Sequence, residues 1–212
     1  MLALAKKLAE LLRHLRPRCA TYYVLGQRVP PTPPPAAPDG IRLAWIDGLH
    51  DPRLGMLLQV SKLQGMEEQF VRDEIQGDNW PVLAVAHFDG GERPAGAAWL
   101  MGGTHSADEA LHDLDPGPDG CQLMNCAVLP EFRGRRLQRL LTRARLALAA
   151  QRGRRWVYTL IAANNVASLR NTLGEGNRPL LRLDLVRWGG WVLPIIRRLT
   201  HRMPTGNLIR RT

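Results

Sequence analysis

The spacing of hydrophobic and polar positions divides the 212-residue chain into segments of helical and strand periodicity. Leucines recur at helical intervals over Leu2–Leu15, with basic residues between them, which predicts an amphipathic helix. A β-like run, Thr21–Val29, and a proline-rich connector, Pro30–Gly40, follow it. We therefore expect an N-terminal helical extension over residues 1–20 and one globular domain over residues 21–212.

Apolar runs in the middle of the chain predict strands on either side of two short helices. Ile41–Ile46 is typical of a strand, whereas Leu54–Leu63 and Glu67–Ile75 have helical patterns. Pro81–Phe88 and Ala95–Met101 are apolar runs on either side of an Asp-Gly-Gly-Glu turn. This last arrangement predicts a β-hairpin.

The second half of the chain changes from strand to helix and back to strand. A loop rich in Asp, Gly and Pro precedes these elements, at Thr104–Gly120. An extended run, a helical pattern and a second strand pattern follow it, at Cys121–Leu129, Arg135–Gln151 and Trp156–Ala162. This is the order of a β-α-β unit. The remaining predicted elements are a helix, Asn165–Leu173, and two strands, Leu180–Val186 and Trp191–Ile196. The whole order predicts an α/β (α+β) fold with a mixed sheet flanked by helices.

Charge is distributed unevenly along the sequence. Residues 1–132 carry 11 Lys or Arg against 17 Asp or Glu, a net charge of −6. Residues 133–212 carry 18 against 2, a net charge of +16. Such a field attracts an anionic ligand, a nucleic acid or an acidic membrane surface alike. Charge therefore restricts the partner to an anion without saying which one.

Cysteine usage and hydropathy limit the class of protein further. Cys19, Cys121 and Cys126 have neither the spacing of a zinc site nor that of a disulfide framework, so we expect no metal and a reducing compartment. No apolar run approaches the ~20 residues that a transmembrane helix needs. We expect a cytoplasmic protein without a membrane span, and a homodimer is an open alternative.

One turn has the features of an anion site. The predicted strand ends at Pro130, and the chain turns through Arg133 and Gly134 into the next helix. A helix start presents free backbone N–H groups and the positive end of the helix dipole. Four arginines surround this helix start, at positions 133, 135, 136 and 139. Cations there oppose the dipole unless an anion offsets them, although a solvated basic helix face is the simpler alternative.

This turn resembles the coenzyme motif of the GNAT superfamily, V-x-P-x-x-R-G-x-G-x-G, and the sequence from Val128 to Gln138 is VLPEFRGRRLQ. The matching residues are Val128, Pro130, Arg133 and Gly134. Arg136 and Gln138 replace the two later glycines, so the motif is degenerate at those positions. A second signature is similar to Asn165-Val166-Ala167-Ser168 followed by Gly176. There Thr172 stands where many members carry a tyrosine that protonates the leaving thiolate.

The resemblance implies an activity and a set of binding residues. It implies a GNAT-like, mostly antiparallel sheet and direct transfer of an acetyl or other acyl group from acyl-CoA to an amine, or less often a hydroxyl. The acceptor would be a small-molecule amine or a peptide. It also implies that the strand over Cys121–Val128 splays from its neighbour, so that pantetheine amides pair with its backbone. The implied coenzyme residues are Cys126, Ala127, Val128, Arg133, Gly134, Arg135, Arg136, Leu137, Gln138, Asn165 and Ser168.

Candidates for catalysis are few. Transfer from an activated thioester needs a placed nucleophile, a proton acceptor and a polarised carbonyl. A backbone N–H near Ala127 or Val128 would polarise the carbonyl. The candidate bases are His87, His105, Glu109 and Asp113, and Asn125 is a candidate for orienting an amine or a water. A surface position is the commoner explanation of the four, and a buried amide satisfied by the sheet is the commoner explanation of Asn125.

Two other interpretations stay open. A nucleic-acid-binding protein would use the basic C-terminal segment, although aromatic residues are sparse among its arginines. Those arginines are Arg152, Arg154, Arg155, Arg197, Arg198, Arg202, Arg210 and Arg211. A GNAT-like protein that binds acyl-CoA but has lost catalysis would explain the replaced residues Arg136, Gln138 and Thr172.

Overall fold

The structure, a computed structural model, describes residues 18–31, 33–77, 79–88, 90–102, 115–188 and 191–199. The strands within these residues are β1 (Arg18–Arg28), β2 (Ile41–Trp45), β3 (Asn79–Phe88), β4 (Gly91–Met101), β5 (Gly120–Val128), β6 (Trp156–Ala162), β7 (Arg178–Trp188) and β8 (Trp191–Arg198). The helices are α1 (Leu54–Lys62), α2 (Glu68–Gln76), α3 (Leu137–Gln151) and α4 (Val166–Gly174), and a 3-10 turn covers Pro130–Phe132.

All eight strands form one sheet, in the order β2-β3-β4-β5-β6-β1-β7-β8. Every neighbouring pair is antiparallel except β5 and β6, which are parallel and joined through α3. The predicted mixed, mostly antiparallel sheet and the predicted β-α-β unit are therefore confirmed. The sequence did not predict that β1 lies between β6 and β7, because strand partners are chosen by long-range contacts.

The main core lies where α1 and α3 pack against β4. Both helices bury apolar residues at helical intervals. These include Leu54, Leu57 and Val60 on α1, and Leu137, Leu140, Leu141 and Ala144 on α3. Fully burying one such leucine contributes about 1.5–3 kcal/mol. Trp99 on β4 is completely buried within this cluster. The start of α3 is thus fixed against the middle of the sheet.

Most predicted element bounds differ from the observed ones by one to four residues. The prediction that the third helix begins at Arg135 was wrong: α3 begins at Leu137, because Arg136 has φ 59° and cannot continue a right-handed helix. The predicted N-terminal helix over residues 2–15 lies outside the described residues. β1 begins at Arg18, inside the predicted extension. None of the helices that the structure describes is long and apolar enough to cross a membrane.

Candidate functional site

A cleft opens where β5 and β6 separate. The two strands pair only over Gly120–Gln122 and Trp156–Tyr158. Beyond these residues they border a cavity of about 280 Å³, with residues 123–126 on one wall and residues 159–162 on the other. A side of β5 that has no strand partner exposes backbone N–H and C=O groups to whatever enters. The separation that the family resemblance implied is therefore present.

A bulge in β5 shapes this wall. Ala97 on β4 pairs with Ala127, but Trp99 pairs with Met124, so β5 has one extra residue between these pairs. Asn125 lies in the bulge with φ 46°, a left-handed conformation that asparagine tolerates better than most residues. Asn125 also lines the cavity. The backbone conformation explains this asparagine without a catalytic role for its side chain.

The N-terminus of α3 borders a second cavity, of about 490 Å³. Gly134 has φ 79° and Arg136 has φ 59°, so the chain makes two left-handed steps before the helix begins. Arg136 keeps the left-handed conformation that a glycine would adopt freely, at a cost of roughly 1 kcal/mol. No side chain of the residue before the helix caps its first N–H groups. Those N–H groups have no acceptor within the helix and face outward.

The arginines around this turn make different contacts. Arg133 donates from Nε to the Val128 carbonyl at 3.3 Å, and the Arg135 guanidinium lies 5.5 Å from the centre of the Phe132 ring. Arg139 is ion-paired with Glu175, which also accepts from Arg143 at 3.0 Å. Glu175 therefore neutralises part of the charge that the sequence placed at the helix start. Arg133 and Arg136 border the second cavity, and both are exposed.

Gln138 lies between the two cavities and lines both. Its side-chain oxygen accepts a 2.7 Å hydrogen bond from the Asn171 amide of α4. In the motif this position is a glycine, so the side chain occupies space that the family leaves open. The hydrogen bond joins the first turn of α3 to α4 across the groove that the two cavities form.

α4 supplies another part of the cavity wall. Asn165 caps this helix by accepting from the Ser168 N–H at 3.2 Å, and both residues line the first cavity. Thr172 lies on the same wall. The hydroxyl group therefore stands in the cleft at the position where the motif usually has a tyrosine.

Arg145 is a component of the site that sequence reasoning missed. It lines the first cavity, although its side chain is buried. Burial lowers its pKa, but an arginine starts far above neutrality and stays charged. Gln138, Thr142 and Arg145 follow one another at positions i, i+4 and i+7 of α3, and all three line the cavity. The signal in the sequence was the helical spacing of these three polar residues, which puts them on one face of α3.

The two cysteines of β5 are poor nucleophiles. Burial raises the pKa of Cys121 to about 12. Burial also raises the pKa of Cys126, which lies on the cavity wall. Both thiols are protonated at neutral pH, so neither supplies the thiolate that covalent catalysis needs.

The candidate bases remain unassigned. His105, Glu109 and Asp113 lie outside the described residues, and His87 lies at the end of β3 and does not line the cavity. Among the candidates in the described residues, Asn125 alone lies at the cleft. Within the part of the chain that the structure describes, none of the residues lining the first cavity carries a carboxylate or an imidazole. The described walls thus offer amide, hydroxyl and guanidinium groups to a ligand.

Comparison with known proteins identifies the fold. No protein-family model and no curated protein matches the sequence. Among solved structures, a GCN5-related N-acetyltransferase from Sphaerobacter thermophilus matches 92% of the chain with 17% identity and a TM-score of 0.60. A tandem GNAT protein from the clavulanic acid biosynthesis pathway matches 88% with 17% identity and a TM-score of 0.58. A GCN5-related N-acetyltransferase from Kribbella flavida matches 81% with 15% identity and a TM-score of 0.52.

These likenesses concern the fold. The chain spans 56, 59 and 60% of the length of the three proteins, respectively. At such low identity the shared property is the arrangement of strands and helices. The predicted GNAT-like fold is confirmed.

Proposed function

We propose that this chain, which has the GNAT fold, transfers an acyl group from acyl-CoA to an amine acceptor. One observation carries the proposal: the cleft between β5 and β6 is next to the uncapped, arginine-flanked start of α3, and Gln138 borders both cavities. A long ligand with an anionic end and an amide-rich arm matches this pair of cavities. Acyl-CoA has both parts.

The phosphates of the coenzyme would bind at the start of α3. The N–H groups of the first turn and the helix dipole favour a negative charge there. Arg133 and Arg136 add positive charge at the same cavity. The proposed phosphate-binding residues are Arg133, Gly134, Arg135, Arg136, Leu137 and Gln138. Arg136 has the left-handed backbone that the motif glycine would provide, so its replacement does not remove the turn.

The pantetheine arm would lie in the first cavity. Beyond Gln122, β5 does not pair with β6, which leaves backbone groups near Cys126, Ala127 and Val128 available on that side. Asn165 and Ser168 of α4 form part of the opposite wall. Hydrogen bonds from a strand backbone to the ligand's amides would fix the position of the thioester without needing particular side chains.

The chemistry is direct transfer. The acceptor amine attacks the thioester carbon, the new C–N bond forms, and the C–S bond then breaks. A β5 backbone N–H would stabilise the oxyanion of the tetrahedral intermediate, near Ala127 or Val128 as the resemblance implies. The amine loses one proton, and the leaving thiolate takes one up to become the free thiol. The base is unassigned, and the Thr172 hydroxyl is at the motif position of the proton donor.

A second function is favoured by two observations on the same cleft. The cavity has no described carboxylate or imidazole, and Thr172 replaces the usual tyrosine. A protein that binds acyl-CoA without transferring the acyl group would need only the binding features. This alternative shares the coenzyme site and differs in the reaction.

Two measurements test the proposal. Native mass spectrometry with acetyl-CoA and longer acyl-CoAs tests binding, and release of free CoA thiol over a panel of amines and peptides tests transfer. Binding together with amine-dependent thiol release supports the acyltransferase. Binding without thiol release supports the second function, and the absence of any acyl-CoA adduct overturns both. A cytoplasmic location and a homodimer remain predictions.

A further inference from the structure

We infer that Arg145 is a positioning residue of the proposed transfer reaction, holding the Met124–Asn125 peptide so that its N–H faces the cleft. This inference rests on the proposed function. The residue lies on α3, two turns after the coenzyme motif, on the same helix face as Gln138 and Thr142. It makes no contact in the proposed phosphate site.

The contacts of Arg145 converge on the bulge. Its Nη1 donates to the carbonyl oxygens of Trp99 and Met124, each at 3.2 Å. These two residues are the register partners at one end of the bulge. Nε donates to the Leu141 carbonyl, and Nη2 donates to the Thr142 hydroxyl, again at 3.2 Å each. The guanidinium therefore ties β4, β5 and α3 together at the point where β5 becomes irregular.

The contact with the Met124 carbonyl also fixes the direction of the Asn125 N–H, because both groups belong to one peptide unit. In a trans peptide the C=O and the N–H point in opposite directions. The Met124 carbonyl points to Arg145, so the N–H of Asn125 points away from Arg145. The Trp99 carbonyl shares the same Nη1, which places the contact on the β4 side of the strand. The Asn125 N–H therefore points to the side of β5 that faces β6, whose residues 159–162 border the cavity.

The charge on Arg145 strengthens this N–H as a donor. A cation that binds the carbonyl end of a peptide polarises the unit and makes its N–H more positive. The described residues place no carboxylate within salt-bridge distance of this guanidinium, which donates to three carbonyl oxygens and one hydroxyl. Its field is thus not cancelled by a described acid. Buried arginines are commonly paired, so a neutral set of acceptors is unusual for a purely structural role.

Arg145→Met retains most of the length of the side chain but removes the charge and the donors. Arg145→Lys retains the charge, but an ammonium group cannot donate to several acceptors as a planar guanidinium does. The inference assigns the oxyanion to the Asn125 N–H, in place of the N–H near Ala127 or Val128 that the resemblance implies. Arg145→Met then lowers kcat by roughly tenfold or more, since complete loss of an oxyanion donor lowers it by about 10²- to 10³-fold. Arg145→Lys retains an intermediate kcat. The affinity for CoA changes by less than about threefold in both variants, because ground-state binding uses other groups.

The experiment compares these two variants with Arg72→Met, an equivalent change at a partly exposed surface position on α2. Thiol-release kinetics give kcat and KM, calorimetry gives the CoA affinity, and amide NMR of the free protein reports on Asn125. The inference predicts a shifted, faster-exchanging Asn125 amide and a selective fall in kcat for Arg145→Met, with partial rescue by lysine. Equal kcat in Arg145→Met and Arg72→Met overturns it, as does a loss of CoA affinity that matches the loss of kcat.

If Arg145→Met fails to fold, Arg145→Lys still tests the inference, because it retains the charge in a side chain of similar length. Amide NMR of that variant reports on Asn125 independently. An unchanged Asn125 amide in a folded Arg145→Lys protein overturns the inference. A wild-type protein that shows the Arg145-dependent amide but no acyl-CoA turnover overturns the proposed acyltransferase while supporting the contact itself. The two failures are therefore distinguishable.

Discussion

The side chain of Gln138 accepts a 2.7 Å hydrogen bond from Asn171, joining the first turn of α3 to α4 across the proposed coenzyme groove. Gln138 lines both cavities, so a ligand that occupies both must pass this side chain. The hydrogen bond is between exposed groups, and its net contribution is on the order of 1 kcal/mol. A ligand that displaces this hydrogen bond loses that much binding free energy, whereas the glycine of the usual motif has no side chain to displace.

Replacing Gln138 with alanine should therefore tighten acyl-CoA binding, because the phosphate contact proposed for Gln138 is its backbone N–H, which alanine retains. Loss of a hydrogen bond that the ligand must displace corresponds to an affinity gain of about fivefold. Asn171→Ala is the matched control, because it removes the same hydrogen bond but leaves the Gln138 side chain in the groove. Calorimetry with CoA separates the cost of displacing the hydrogen bond, which both variants remove, from the space that the Gln138 side chain occupies, which only Gln138→Ala frees. Weaker binding by Gln138→Ala would mean that this side chain contacts the ligand favourably.

Arg136→Gly should stabilise the folded protein in the absence of ligand. Glycine adopts φ 59° without the penalty of roughly 1 kcal/mol that a side chain incurs, so the free energy of unfolding should rise by up to that amount. Urea denaturation measures it. Arg135→Gly is the control at the neighbouring position, which does not have a positive φ, and it should destabilise the protein by about 0.5–1 kcal/mol. Equal effects of the two changes would contradict the conformational explanation.

The acid stability of the domain should depend on Asp51. A hydrogen bond from the Arg53 side chain, at 2.6–2.8 Å, lowers the pKa of Asp51 to about 2. The pKa is lower in the folded state than in the unfolded chain, where it is about 3.9. The stabilisation is therefore complete above about pH 5 and is lost as the pH falls through 4 towards 2, and it amounts to at most about 2.6 kcal/mol. Asp51→Asn should flatten this part of the stability profile, as measured by urea denaturation between pH 2 and 6.

Nucleic-acid binding, the open alternative from the charge distribution, should be weak and salt-dependent. The basic residues near the end of α3 already make internal contacts: Arg152 lies 4.6 Å from the centre of the Trp80 ring, and Arg155 pairs with Asp119 at 3.7 Å. We expect heparin or duplex DNA to dissociate as salt approaches physiological strength, because screening weakens phosphate contacts made at the surface. Fluorescence anisotropy at increasing salt measures this. Tight DNA binding at physiological salt, together with no binding of acyl-CoA, would favour a nucleic-acid-binding protein over an acyltransferase.

The sequence predicted the β-α-β unit because it depends on local patterns. A strand that ends before Pro130, a turn with Gly134 and an amphipathic helix are readable from adjacent residues. The insertion of β1 between β6 and β7 was not readable, because Tyr22 pairs with Ala162 and with Leu183 across long stretches of chain. Local periodicity identifies a strand but does not select its partners.

The polar wall of the cleft was only partly predicted, and for a similar reason. The resemblance identified Asn165, Ser168 and Gln138, which occupy motif positions. Arg145 and the β5 bulge depend on how α3 meets β4 and β5, and an isolated arginine in a helix is usually a solvent-facing residue. The conformation of Asn125 is likewise set by the register of two strands rather than by its own neighbours in sequence.

Binding of the coenzyme phosphates at the start of α3 is the step on which the proposed function depends, and calorimetry of acetyl-CoA binding to Arg133→Glu measures it. Arg72→Glu, on the exposed face of α2, is the matched charge reversal, and circular dichroism establishes that both variants are folded. Reversing a charge beside bound phosphates should weaken binding by roughly tenfold or more, equivalent to about 1.4 kcal/mol, whereas Arg72→Glu should leave it unchanged. An unchanged affinity in a folded Arg133→Glu protein would mean that the coenzyme phosphates do not bind at the start of α3.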